Sequence, residues 1–162
     1  MNMKKLLAML LTFALALSFI PGVLAEGEAI TVGDIVTFGH CEQDNDQDNG
    51  LEQIEWIVLE INESGHALLL SRHSLISLPY HGVYEETSWE NCELRSWLNG
   101  AFLNGVFNEE ERALVLTANV PATANDVWQT EAGNDTEDLV FLLSMDEVKY
   151  YFADNEARKS AV

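Results

Sequence analysis

CEQDNDQDNGLEQIEWIVLEI, residues 41–61, is the stretch whose reading decides the fold. Asp44, Asp46 and Asp48 are spaced like the first, third and fifth ligands of an EF-hand loop, and Glu55 falls at the twelfth position. A calcium loop of that kind would hand over to a helix. Instead, Ile54, Trp56, Val58 and Glu60 share one side of a period-two segment, and Ile57, Leu59 and Ile61 share the other. The sixth loop position, where an EF-hand wants glycine, holds Asn49, and Gly50 comes one residue late. Residues 53–61 therefore read as a strand and 41–50 as an acidic turn. Calcium held weakly by Asp44, Asp46, Asp48 and Glu55 is the alternative kept open.

Working outward, residues 34–39 alternate enough for a preceding strand. Asn62 to Gly65 is a turn by composition, and residues 66–71 make the return strand, so 34–71 reads as an antiparallel meander. Residues 72–86 are irregular. Thr87 and Glu90 are spaced for a capping box, followed by Leu94, Trp97, Leu98, Ala101 and Phe102 at helical spacing. Asn99-Gly100 is expected to break or end that helix. Asn108 followed by three glutamates marks a second helix start, since acids favour the positive end of the helix dipole. Residues 114–120 pass from helix end towards a strand, and 139–143 form a short apolar strand. Ser144 and Glu147 make another capping box, opening a helix that runs to about Phe152. Strands first, with short helices interleaved, give an α+β fold.

The first 25 residues read as a Sec-type signal peptide. A short basic start with Lys4 and Lys5 precedes an apolar run from Leu6 to Ile20, broken by Pro21 and Gly22. Val23-Leu24-Ala25 presents small residues for cleavage after Ala25. The apolar run is shorter than the ~20 residues that span a bilayer. Cleavage would leave 26–162 as one domain, secreted or at the cell surface, without a membrane segment. The chain carries 27 acids against 8 bases, a net charge of −19, and removing Lys4 and Lys5 makes the remainder more acidic still. Such a surface repels nucleic acid and anionic lipid, and suits a glycan or protein ligand. Two cysteines, Cys41 and Cys92, could bridge after export or stay as two thiols.

Three segments together resemble a domain family. They are GDIVTFGHCEQDNDQDNGLEQIEWIVLE, SWENCELRSWLNGAFLNGVFNEEERALVL and GNDTEDLVFLLSMDEVKYYF. They look like an uncharacterised domain family of secreted and surface proteins of anaerobic bacteria. Its marks are W-E-x-C-x-L-R-x-W-L-N-G, here Trp89 to Gly100, and N-D-T-E-D-x-V-F-L-L-S, here Asn134 to Ser144. The resemblance implies a C-type-lectin-like fold, of the group that also holds formylglycine-generating-type domains, and it implies no assigned reaction. Members commonly carry an aromatic where Cys41 stands, so the resemblance does not support a disulfide from Cys41. Members also continue into W-L-R-S-P and G-V-R-P-A-L segments that this chain lacks. The expectation is a C-terminally truncated domain lacking its last strands, with an unpaired sheet edge through which it self-associates.

Catalysis finds little support in the pattern. His40, His66, His73 and His81 show no metal-binding spacing, and a catalytic Cys41 or Cys92 would need a His or Lys close in space, which the sequence does not show. The cysteine pair on which oxygen-dependent formylglycine-generating enzymes depend is missing. The reading is a non-enzymatic binding module with no resident cofactor. The alternatives are a remnant of a formylglycine-generating-type enzyme, or a fragment without independent function. Trp56, Trp89 and Trp97 are expected in the core. Trp128, in a segment without periodicity, is the candidate ligand contact. Arg95, on an apolar helix, is expected to pair with a carboxylate such as Glu90 or Asp138.

Overall fold

The computed structural model describes residues 29–43, 46, 48–124 and 131–159, and residues 13–18 by their backbone. Its larger sheet has five strands. They are β1 (Phe13–Ser18), β2 (Ile35–Cys41), β3 (Glu52–Ile61), β4 (His66–Ser71) and, far along the chain, Val140–Leu142. The last is β7, because Ala118–Val120 (β5) and Thr136–Asp138 (β6) come first and form a separate two-stranded sheet. The order across the large sheet is β2-β3-β4-β1-β7, and all its pairings are antiparallel. The fold is α+β with short helices, as the sequence leads one to expect.

The meander β2–β3–β4 follows from the alternation. Ile54, Trp56 and Val58 are fully buried on one face, while Glu60, which pairs with Leu68 where Val58 pairs with Leu69, falls on the other face and is exposed. Here the register shifts between Val58 and Glu60, which ends the buried run. Against this face pack Leu94, Leu98, Phe102, Leu103 and Val106, from one helical stretch. That stretch comprises α1 (Glu93–Trp97), a π-helical turn (Leu98–Phe102) and α2 (Leu103–Val106). Truncating a residue such as Trp56 in this interface costs about 3–5 kcal/mol in transfer and cavity terms.

A bulge in β2 joins sheet to helices. The register slips between Thr37 and His40, freeing backbone groups that must find other partners. The Trp56 indole N–H donates to the Phe38 carbonyl at 2.7 Å, and the Gly39 N–H donates to Glu111 Oε1 at 3.1 Å. Gly39 has φ +74°, and a Cβ there would lie 2.5 Å from the Phe107 ring, so glycine is required on both counts. Glu111 belongs to α3 (Glu109–Arg112), whose capping box with Asn108 is formed as expected. The second box, Ser144 with Glu147, opens α4 (Met145–Tyr151).

Two local expectations fail. Thr87 does not cap a helix: a short 3₁₀ turn over Trp89–Asn91 follows Ser88 with no side-chain cap. The cap of α1 is the Cys92 sulfur, which accepts the Arg95 N–H at 3.4 Å. Nor does Asn99-Gly100 end the helix. The turn widens to π and continues, because the Asn99 side chain bonds elsewhere. Its oxygen accepts from the Leu139 and Val140 N–H groups at 2.7 and 3.2 Å, and its amide donates to the Val140 and Arg95 carbonyls at 2.9 and 3.1 Å. Asn99 thus stands in as a backbone partner for one end of β7. Residues 13–18, which the leader reading sets outside the fold, pair with β4 on one side and β7 on the other.

Candidate functional site

Three chain segments meet around a cleft of about 470 Å³. Tyr80 and residues 87–89 form one wall, residues 120–124 with 131–132 the second, and residues 142–146 with Lys149 the third. The third wall is the exit of β7 and the first turn of α4, and the Ser144 cap fixes their angle. The second wall is the exit of β5 and the return towards β6. It sits close to the first because Gly133, at φ +80°, approaches Ser88 so tightly that a Cβ would lie 2.7 Å from the serine Cβ.

The aromatic wall is held from behind. The Tyr80 and Trp89 rings lie 6.4 Å apart, tilted by 36°. The Trp89 indole N–H donates to Asp138 Oδ2 at 2.9 Å, and the Thr136 hydroxyl donates to the same oxygen at 2.6 Å. The other oxygen, Oδ1, takes the Arg95 Nε–H at 2.7 Å. The Asp138 side chain is fully buried, and Arg95 is about a quarter exposed. Arg95 also reaches the Glu90 and Glu137 carbonyls, so its fork ties α1, the 3₁₀ turn and β6 together. Of the two carboxylates suggested for Arg95, Asp138 is the one it takes. Glu90 instead accepts from the Asn134 side-chain amide at 2.9 Å. A charge this deep is tolerable because Trp89, Thr136 and Arg95 all bond to it, and it orients the Trp89 ring that borders the cleft.

The rim is polar. Ser88, Thr123, Glu131 and Asp146 line it with Lys149, whose ammonium pairs with Asp146 at 2.9 Å. Met145 stands 55% exposed at the mouth. Burial, and then the Cys92 thiol beside it, push the Tyr80 phenol above its ordinary range, so it stays a neutral hydrogen-bonding group. The cleft therefore offers an apolar, aromatic floor and hydroxyl and charged groups at its edge.

The other sequence candidates lie elsewhere. Cys41 and Cys92 are both free thiols, not bridged: Cys41 ends β2, half-buried, and Cys92 is fully buried where it caps α1. Burial first, then the Glu52 and Glu42 carboxylates, push the Cys41 thiol up to about 11. Asp44 and Trp128 lie outside the described residues. Asp46 closes a local turn, accepting the Asp48 N–H on its side chain and the Asn49 N–H on its carbonyl. Glu55 faces away into the sheet surface, where it accepts from Arg72 at 2.7 Å and meets His73 at 3.3 Å. The Arg72 hydrogen bond, chiefly, lowers its carboxyl below the usual range. Among the described residues, no three His, Cys, Asp or Glu side chains gather as a metal-binding group. Trp56 is fully buried; Trp89 and Trp97 are half-buried and packed on the core.

Sequence reasoning missed Tyr80 and Asn99. Tyr80 lies in an irregular segment with no periodicity to place it. Asn99 looked like a helix breaker, and nothing local reveals a partner 40 residues away. Comparison with protein-family models matches residues 64–162 to a family described as a domain of unknown function (DUF6273). The match covers the cleft walls, Arg95, Asp138 and Asn99. Comparisons with curated proteins and with solved structures give no match.

Proposed function

The chain belongs to the DUF6273 family, and from that premise we propose that it is a non-enzymatic binding module whose cleft takes a short neutral glycan. The observation that carries the reading is the Tyr80–Trp89 wall, fixed by the buried Asp138–Arg95 pair and edged with hydroxyl and charged groups. Sugars present apolar C–H faces that stack on aromatic rings and hydroxyls that bond to a polar rim, so floor and rim match the two sides of such a ligand. A neutral ligand suits a chain of net charge −19 better than an anionic one. The leader-like residues 1–25 support export, which puts the module in the medium or at the cell surface.

An enzyme of the formylglycine-generating type, or its remnant, finds less support. Its chemistry would need a thiolate, and the described thiols are a Cys41 held protonated and a Cys92 enclosed in the core.

Binding is tested by titrating neutral oligosaccharides into the full chain and reading tryptophan fluorescence with calorimetry. The expected result is saturable binding that Met145→Glu weakens at least tenfold. That substitution puts an acid at the first position of α4, where the helix tolerates it. A panel of neutral oligosaccharides that leaves fluorescence and heat unchanged would overturn the reading.

A further inference from the structure

The sheet holds one of its inner strands by an unusual route. β1 lies between β4 and β7, with Leu15 opposite both Leu69 and Val140, and Ala14 opposite both Leu70 and Phe141. Yet residues 13–18 fall inside the stretch that the sequence marks for removal after Ala25. Processing would take out an inner strand and leave two facing strand edges.

That slot cannot simply close. Strands sit about 4.8 Å apart, so losing one leaves a gap of roughly 10 Å. β4 and β7 each run antiparallel to β1, and are therefore parallel to one another. Closing the gap would need a new parallel pairing of three-residue β7. It would also have to drag β7 from Asn99, which holds the Leu139 and Val140 N–H groups and the Val140 carbonyl. The flanking residues also state what must fill the space. Leu69, Leu70, Val140 and Phe141 are all buried, covering both faces of the two neighbouring strands. An occupant with charges on either face would sit against apolar surface.

We propose that the β4–β7 slot is a strand-acceptor site: the leader occupies it in the uncleaved chain, and after cleavage it takes an extended, uncharged, proline-free segment of at least five residues from a partner polypeptide. The affinity comes from two sets of main-chain hydrogen bonds, and the selectivity from the demand for apolar side chains on both faces. The segment Phe-Ala-Leu-Ala-Leu-Ser of β1 is the pattern on the page that meets it. The acidic body further favours a partner segment with basic flanks, as the leader has in Lys4 and Lys5. The slot meets the cleft at Leu142, the end of β7, but peptide displacement and oligosaccharide binding are read by separate assays, so the failure of one is distinguishable from the failure of the other.

The test uses the full chain, with a recognition site for a specific protease introduced next to Ala25, folded intact and then cut. The expected result is that fragment 1–25 stays with the body through size exclusion. A labelled peptide of residues 11–20 with added lysines should then displace it stoichiometrically, and the same peptide carrying Leu15→Pro should bind at least tenfold more weakly. The proline sits in the peptide, so its effect cannot come from misfolding of the body. Release of the fragment, with the body still monomeric and the amides of residues 68–70 and 140–142 still protected from hydrogen exchange, overturns the proposal. Release accompanied by dimerisation through those same amides overturns it too, by making a second copy the occupant.

Discussion

Replacing Arg95 with methionine should be among the most destabilising single changes available outside the apolar core. The variant keeps the stem of the side chain and deletes the guanidinium. Asp138 would retain its bonds from Trp89 and Thr136 but would lose the 2.7 Å bond to its charge partner, inside a site where its side chain has no exposure. Breaking a buried pair from one side costs about 3–5 kcal/mol. Arg95 is about a quarter exposed, so water relieves part of the penalty and the lower end, about 3 kcal/mol, applies. Against a total stability of ~5–15 kcal/mol this is a large share. Asp138→Asn should cost about 2–3 kcal/mol, since its amide would turn one donor towards the guanidinium. The double variant should cost clearly less than the two singles together, giving a coupling energy of about 2 kcal/mol. The assay is urea unfolding of the full chain, wild type and three variants, followed by circular dichroism, with unchanged slopes as the check on a common mechanism. A coupling below about 0.5 kcal/mol would refute the reasoning. It would mean that Asp138 is held by its neutral donors, and that Arg95 acts only through the carbonyls of Glu90 and Glu137.

Three further outcomes follow from individual bonds. Asn99→Ala removes four hydrogen bonds and leaves the Leu139 and Val140 N–H groups without that acceptor; thermal unfolding should register a loss of about 2–4 kcal/mol. At pH 8 the Cys41 thiol, pushed up to about 11, should react with iodoacetamide roughly a hundredfold more slowly than an ordinary free cysteine, and Glu52→Gln should speed it; mass spectrometry of the time course decides. Burial, then the bond from its hydroxyl to Glu60 Oε2 at 2.6 Å, raise the Tyr151 phenol above its ordinary value. A raised group contributes stability that is complete below its unfolded value, ~10, and is lost as pH climbs through the folded one. Unfolding measured from pH 8 to 11 should therefore show a smaller alkaline loss in Tyr151→Phe than in the wild type.

The parts of the fold that local physics dictates were legible in the chain. Ile54, Trp56 and Val58 announce their face by alternation, and Asn108 and Ser144 announce helix starts because each has a glutamate three residues on. Arg95 announces a buried partner because an arginine on an apolar helix needs one. What failed depends on contacts remote in sequence. Thr87 to Glu90 has the spacing of a cap, but the Trp89 indole is bonded to Asp138, 49 residues away, in a 3₁₀ turn with no side-chain cap. Asn99-Gly100 has the composition of a helix end, but a strand edge takes up the asparagine. β6 is three residues long, too short to show a period, and only its pairing with β5, the strand expected towards the end of residues 114–120, makes it a strand. Of the site, the sequence reached Arg95 and Asp138 and missed the Tyr80 wall they help to support.

The bulge at Gly39 also bears on how the molecule comes together in time. Its N–H meets Glu111 across 72 residues, and its missing Cβ makes room for the Phe107 ring. Neither contact exists until the first hairpin and α3 have found each other, so a large loop must close before the bulge is rewarded. Folding should accordingly be limited by this encounter rather than by either piece alone. Once it is made, sheet and helices share one bolt, and amide protons on β2 and α3 should exchange through the same opening event.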